Sequence, residues 1–218
     1  MRRYPFRSSV VLLTLVAAAA MARPAFAGPP LLCHPYDIAG ARSLPWDGST
    51  GWFQGRADYK LTNLVSDTEA LLTPSTPVIA RMETLRRATI YASADRTVAA
   101  ALLERLTARA RAAELAGRAD ALAYLDVAYV TEAMREMTML RGEMAVQAAN
   151  ARAVTPEANG LAWMQKSLAA GGGNPALDFA AALITSAYDK SAYQQHAAKA
   201  RAGASRDVLL AKNLDHIS

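Results

Sequence analysis

Apolar residues recur at helical spacing over most of the chain after residue 56. In residues 57–72, for example, Leu61, Leu64 and Leu71 lie three and ten positions apart and share one face of a helix. No run of alternating apolar and polar residues is flanked by hairpin turn residues, as a half-buried strand would be. The pattern predicts an all-α protein of about eight helices joined by short turns.

Residues that begin and end helices mark several of the predicted boundaries. Thr76 is expected to cap a helix that has Pro77 at its first position, where the missing N–H costs nothing. Gly117 is expected to end a later helix, and Asn174-Pro175 to begin another. Short connections favour antiparallel neighbours, so we expect helical hairpins that stack on one another.

The segment 120–140 differs from the others because its apolar residues cover most of the helix circumference. A helix that is apolar nearly all round is enclosed by other elements. We therefore expect this helix at the centre of the molecule.

Residues 28–56 contain prolines, glycines and aromatic residues without a sustained period. They are too apolar for a solvated tail, since Leu31, Leu32 and Trp46 are among them. We expect an irregular N-terminal arm that packs along the body. The predicted organisation is an arm at 28–56 followed by a helical-repeat domain at 57–218.

The first 27 residues have the anatomy of a secretory signal. Arginines at the start precede an apolar run from Val10 to Ala22, and Ala25-Phe26-Ala27 supplies the small residues that a signal peptidase needs. We expect cleavage after Ala27 and a periplasmic or extracellular mature protein. The apolar run is too short for a membrane helix of roughly 20 residues, and no later segment is long enough, so no membrane span is expected in the mature chain.

Removing the signal changes the charge balance. The chain has 24 Lys and Arg against 19 Asp and Glu, and four of the arginines lie in the signal, which contains no acid. The mature chain therefore has 20 basic and 19 acidic residues. Nucleic-acid binding needs a concentrated basic surface, so this balance removes the compositional support for it.

One pair of segments resembles a junction between two tetratricopeptide repeats. Residues 163–168 end a helix in Ser-Leu, and Gly173-Asn174-Pro175 form the turn that follows. Residues 177–183 belong to the next helix and contain an aromatic residue followed by small residues. The resemblance implies antiparallel helical hairpins stacked as a short α-solenoid. Such proteins bind partners through shape.

The start of the mature chain is similar to a group of exported bacterial proteins that have no assigned activity. The similar segments are Cys33–Ile38, Ser43–Trp46, residues 71–74 and residues 81–88. This resemblance implies export and supplies no function.

Cys33 and His34 are the most reactive-looking neighbours in the chain. They could supply one nucleophile or one ligand from a flexible arm, or they could be a packed thiol and a partly buried imidazole. Cys33 is the only cysteine, so it is either free or paired with another molecule. His196 and His216 lie far apart without a second ligand at helical spacing, so neither a metal nor a cofactor is expected.

Asp126 is a carboxylate on an apolar helix, beside Tyr129 and Glu136. A carboxylate on a buried face is costly unless it is paired. These three residues could line a pocket with an acid of raised pKa. The alternative is an internal salt bridge from Asp126 to an arginine, with three candidates: Arg86, Arg105 and Arg109.

Other residues could contact a partner. Six arginines could clamp carboxylates of an acidic partner or form a solvated surface paired with Glu83, Glu104 and Glu114: Arg81, Arg86, Arg87, Arg105, Arg109 and Arg111. The aromatic residues Trp163, Tyr188 and Tyr193 could anchor it. The run Gly171–Pro175 could hold an anion where a helix begins, but it lacks the lysine and hydroxyl of a P-loop and is interpreted as an interhelical turn.

No recognised catalytic motif occurs in the chain. The first hypothesis is therefore an exported helical-repeat scaffold that binds a protein or peptide, either transiently or as a permanent subunit. The alternative is an enzyme or small-ligand-binding protein that uses the pocket around Asp126, Tyr129 and Glu136. The oligomeric state is left open.

Overall fold

The computed structural model describes residues 28–48, 51–155 and 159–218. These ranges contain nine α-helices and no sheet, with one isolated antiparallel bridge between Trp46 and Gly55. The all-α prediction is confirmed. The predicted signal peptide, residues 1–27, lies outside the described residues.

The helices, numbered in chain order, are α1 (Leu64–Leu71), α2 (Val78–Ala92), α3 (Arg96–Leu115), α4 (Ala121–Met137), α5 (Ala145–Val154), α6 (Gly160–Ala170), α7 (Pro175–Thr185), α8 (Lys190–Gly203) and α9 (Val208–Lys212). Short 3-10 turns flank several of them, including Gly142–Met144, Ala204–Arg206 and Leu214–Ile217.

Side-chain caps define the start of six of these helices, because each cap satisfies N–H groups that the first turn leaves unbonded. Asp120, for example, accepts hydrogen bonds from the N–H groups of Leu122 and Ala123 at 3.1 and 2.9 Å. Asn174 caps α7 with Pro175 at the first position, as predicted.

Thr76 does not cap α2, contrary to the prediction. The helix begins at Val78 with Pro77 as its N-cap residue. The Thr76 hydroxyl instead donates to the Leu71 carbonyl at 2.6 Å, at the end of α1. The threonine therefore satisfies a carbonyl of the preceding helix instead of an amide of the following one.

Gly117 ends α3 as predicted. Its φ of +66° is in the left-handed region that favours glycine. The Arg118 N–H donates back to the Ala113 carbonyl at 3.0 Å, which satisfies one of the last carbonyls of the helix.

The helix α4 lies at the centre, as its apolar circumference predicts. It contacts α2, α3, α5, α6 and α7, and nearly all of its side chains are buried. Small residues permit the closest of these approaches. A Cβ added at Gly160, the first residue of α6, would lie 2.8 Å from the Ala128 carbonyl oxygen and 2.5 Å from the Glu132 side chain.

In a solenoid, each repeat contacts only its neighbours along the stack. Here α2 also contacts α7, which is distant in the sequence, and several helices surround α4. Extensive packing between successive helices is seen for α7 and α8. The described helices thus form one body around α4, and the solenoid arrangement stays a prediction.

The N-terminal segment, defined here as residues 28–48 and 51–56, contains no helix and contributes to the core. Leu31, Leu32 and Leu44 are buried. The segment also meets the end of the chain, because the Asn213 side chain bonds both the N–H and the carbonyl of Asp37 at 2.9 Å. Residues from both ends of the described chain therefore share the core.

Among the described residues, no helix combines the length and the apolar character needed to cross a membrane.

Candidate functional site

An ionic cluster on α2 is enclosed by the N-terminal segment. Arg86 pairs with Glu83 through two hydrogen bonds of 2.8 and 2.9 Å, and Arg87 donates to the same carboxylate at 2.7 Å. Arg86 also donates to the carbonyls of Leu32 and Trp52 at 3.0 and 2.9 Å. The side chains of Glu83 and Arg86 are completely buried. Arg86 therefore has a structural role here and is not available to a partner.

Asp126 is engaged in a second buried ion pair. Both of its carboxylate oxygens accept from Arg81 Nη1, at 2.8 and 2.7 Å, and Arg81 also donates to the Thr73 carbonyl. Arg109 lies farther away, at 3.7 Å from Oδ2. Burial raises the pKa of Asp126 to about 6, although the charge and hydrogen bonds of Arg81 oppose this shift.

The sequence correctly indicates that Asp126 needs a cation, and one of the three candidates, Arg109, pairs with it at 3.7 Å, but the nearest partner, Arg81, is not among those candidates. The sequence also predicts Arg81 at a partner-binding surface, but its side chain has no exposed area. The cause is that α2 is enclosed on nearly every side, so its charged residues must find partners inside the protein.

Tyr129 and Glu136 bind the N-terminal segment. The Tyr129 hydroxyl donates to the Leu31 carbonyl at 2.7 Å, and Glu136 accepts from the Leu31 N–H at 2.9 Å. Burial raises the pKa of Glu136 to about 8. Asp126 thus has one set of partners while Tyr129 and Glu136 have another, and each set connects elements of the fold.

The side chains of Cys33 and His34 lie in this segment and are partly buried. Burial raises the pKa of the Cys33 thiol to about 11, so the thiol stays protonated at neutral pH and is a poor nucleophile. The His34 ring lies edge-on to that of His216, with centroids 6.2 Å apart. Within residues 28–48, 51–155 and 159–218, no group of three or more His, Cys, Asp or Glu side chains is placed to hold a metal ion.

The aromatic residues predicted as partner anchors are dispersed. Trp163 is half-buried beside Tyr124, with Lys166 Nζ 4.5 Å from the ring centroid. Tyr193 is half-buried against the core. Tyr188 is 48% exposed, and its hydroxyl donates to Glu132 at 2.6 Å.

The two remaining predicted arginines also have partners within the protein. Arg105 is exposed and pairs with Glu69 at 2.7 Å. Arg109 donates to the Leu72 carbonyl at 3.1 Å, which links α3 to the end of α1. The predicted residues therefore do not form one continuous binding surface.

A groove between α3 and α5 provides a different candidate. This α3–α5 groove has a volume of about 610 Å³, and its lining includes Ala100, Leu103 and Val154 together with Arg96, Glu104 and Arg111. In the described part of the chain, these three charged side chains make no hydrogen bond or ion pair. Leu115, one turn beyond Arg111, is 90% exposed.

Sequence reasoning names Arg111 as a possible contact to an acidic partner but misses the groove, because the apolar pattern it follows on α3 is the buried stripe that includes Leu102, Leu106 and Ala110. The groove-lining positions form a second stripe with the same helical spacing on another face. The sequence does contain a signal for this second stripe. Arg96, Leu103 and Arg111 are seven or eight positions apart, so they lie close together on one face of a helix.

Comparison with known proteins adds no residue role to this geometry. No protein-family model, no curated protein and no solved structure matches the chain. Function must therefore be inferred from side chains for which the fold provides no internal partner. The α3–α5 groove contains such side chains beside exposed apolar surface.

We expect Arg81→Met to lower the free energy of unfolding by about 3–5 kcal/mol, because it leaves the Asp126 carboxylate buried without its principal cation. The double variant Arg81→Met/Asp126→Leu should recover much of this loss, since it removes both charges. Urea unfolding followed by circular dichroism measures the effect. The control is Arg105→Met, which breaks an exposed pair and should cost about 1 kcal/mol or less. Equal losses in the two single variants would show that the buried pair has no special importance.

The free energy of unfolding should fall as the pH rises from about 6.5 to about 8, with a slope of at most about 1.4 kcal/mol per pH unit for one proton. The reason is that Glu136, with its pKa raised from 4.5 to about 8, keeps a proton in the folded state that the unfolded chain has already released. Asp126 and His216, with pKa values of about 6 and about 4 in the folded state, titrate at lower pH.

Glu136→Gln should flatten this part of the stability curve, whereas Glu143→Gln, at an exposed position, should leave it unchanged. The measurement is urea unfolding at a series of pH values. An identical slope in wild type and Glu136→Gln would contradict the assignment of the proton to Glu136.

Proposed function

We propose that this protein is an exported helical scaffold that binds a protein or peptide partner through the α3–α5 groove. The observation that carries the proposal is the groove itself, where apolar surface lies between charged residues that have no partner among the described residues. Charged side chains at the rim of an apolar site favour association with a partner of complementary charge.

The spacing of the charges suggests the kind of partner. Arg96 and Arg111 are 15 residues apart on α3, which corresponds to about 22 Å along the helix axis. Glu104 lies between them. We propose a segment with an apolar centre and acidic residues near both ends, long enough for about four helical turns or about seven extended residues.

The repeat-like part of the proposal applies to α6, α7 and α8. These helices follow one another in the region that resembles a tetratricopeptide junction, and α7 packs extensively on α8. Pro175 and Gly203 are in close contact, since a Cβ added at Gly203 would lie 2.3 Å from the Pro175 Cβ. We propose that hairpins of this kind provide a rigid body from which α3 presents its outer face.

The alternative of an enzyme or small-ligand protein would require Asp126, Tyr129 and Glu136 to be available to a substrate. Asp126 is held by Arg81, and the other two residues bind the backbone of the N-terminal segment. The described geometry therefore favours the scaffold over the enzyme.

Export is tested by the mass of the protein. When the full chain is expressed in a bacterium with a periplasm, we expect the periplasmic fraction to contain a species that begins at Gly28. Ala27→Arg should accumulate the uncleaved precursor, because a signal peptidase needs a small residue before the cut. Ala20→Leu keeps the apolar run and should be processed normally. A full-length cytoplasmic product from the unaltered chain would overturn the proposal of export.

The groove is tested by site-specific photo-crosslinking. A photoreactive residue at Ala100, in the groove, should capture a defined acidic segment from an envelope extract, while the same residue at Ala198, exposed on α8, should not. The affinity for a peptide with the captured sequence should fall roughly tenfold or more in Arg111→Glu, since like charges would then face each other.

Lys190→Glu, at an exposed position on α8, is the matched control for the charge change. An unchanged affinity in Arg111→Glu, or equal capture from Ala100 and Ala198, would overturn the assignment of the groove. Capture of a second copy of this chain would also overturn it, because the proposed partner is a different protein.

A further inference from the structure

Two adjoining hollows lie between the start of α7 and the last turns of α8. Their volumes are about 110 and 300 Å³, and they share Gly173, Asp178 and Lys199 as lining residues. His196 lines the smaller hollow, and Arg206, in the 3-10 turn after α8, lines the larger one. We call the two hollows together the α7–α8 cleft. It involves other helices than the α3–α5 groove and does not depend on the proposed function.

The cleft has an excess of positive groups. Lys199 and Arg206 make no hydrogen bond or ion pair with any described residue. The single acidic side chain of the described lining, Asp178, is buried and already paired, because its Oδ1 lies 2.8 Å from His196 Nδ1. Two cations without a partner thus line the cleft, and its one carboxylate is already paired with His196.

The walls of the cleft are held rigidly. Gly203 of α8 packs directly on Pro175 of α7, where even a Cβ would lie 2.3 Å from the proline ring. This contact fixes the end of α8 against the start of α7. The backbone that carries Lys199 and Arg206 is therefore held against the start of α7 before any ligand arrives.

The backbone contributes little to binding here. The N–H groups of Ala176, Leu177 and Asp178 all donate to Asn174, through its side chain or its carbonyl. A ligand in the cleft would consequently be held by side chains, with the positive end of α7 adding only a favourable field.

We infer that the α7–α8 cleft binds a phosphate group, either inorganic phosphate or a small phosphate monoester. Lys199 lines both hollows and Arg206 lines the larger one, so two cationic side chains without a partner among the described residues are available to the oxygens of a phosphate. The walls formed by Leu168 and Leu177 exclude water from one side of the smaller hollow.

Isothermal titration calorimetry of the mature chain with inorganic phosphate and with glycerol phosphate tests the inference, at constant ionic strength and near pH 7. We expect saturable binding of one equivalent. Lys199→Ala and Arg206→Ala should each weaken it tenfold or more.

Lys190→Ala, at the opposite end of α8, is the matched control and should bind like the wild type. Two results would overturn the inference: no saturable binding of either phosphate compound, or an equal loss in Lys190→Ala and Lys199→Ala. Circular dichroism of each variant shows that a loss of binding does not come from unfolding.

Discussion

Charged groups inside this protein must be neutralised inside it. The helix α2 carries Arg81, Glu83 and Arg86 with no exposed side-chain area. Removing an ion from water costs several kcal/mol, and only close pairing with further hydrogen bonds offsets this cost. The arrangement of α1, the N-terminal segment and α4 around α2 is the one that supplies those partners.

This requirement explains why a segment without regular structure belongs to the core. Arg86 uses its remaining donors on the carbonyls of Leu32 and Trp52, and Arg87 donates to that of Leu44 at 2.6 Å. An irregular chain has carbonyls that no helix satisfies, so the buried arginines and the N-terminal segment complete each other's hydrogen bonds. Glu136 does the same for an N–H group of the segment. The segment is therefore held by polar contacts as well as by its buried leucines.

Periodicity predicts those parts of the structure that depend on local chemistry. Residues within a turn or two of each other are enough to predict the helical class and the central position of α4. The same holds for Gly117, which ends α3, and for Asn174-Pro175, which begin α7. The pairing of Arg81 with Asp126 spans 45 residues and depends on how helices pack, which no local pattern contains. The hydroxyl of Thr76 shows the same limit at short range, because two helix ends compete for it and the sequence does not reveal which one prevails.

Arginine content alone therefore does not distinguish the charges that the fold pairs from those that it leaves unpaired. The arginines of α2 pair with groups inside the protein. By contrast, Arg96 and Arg111 on α3 and Arg206 after α8 have no partner among the described residues. A charge that the fold does not use costs little at the surface and contributes little to stability. Such a charge beside a concave surface is free to attract an anion or an acidic segment, and its substitution can change binding while leaving folding intact. Only the folded structure shows which charged side chains have a partner inside the protein. Those with a partner stabilise the fold, and those without one mark the candidate binding surfaces.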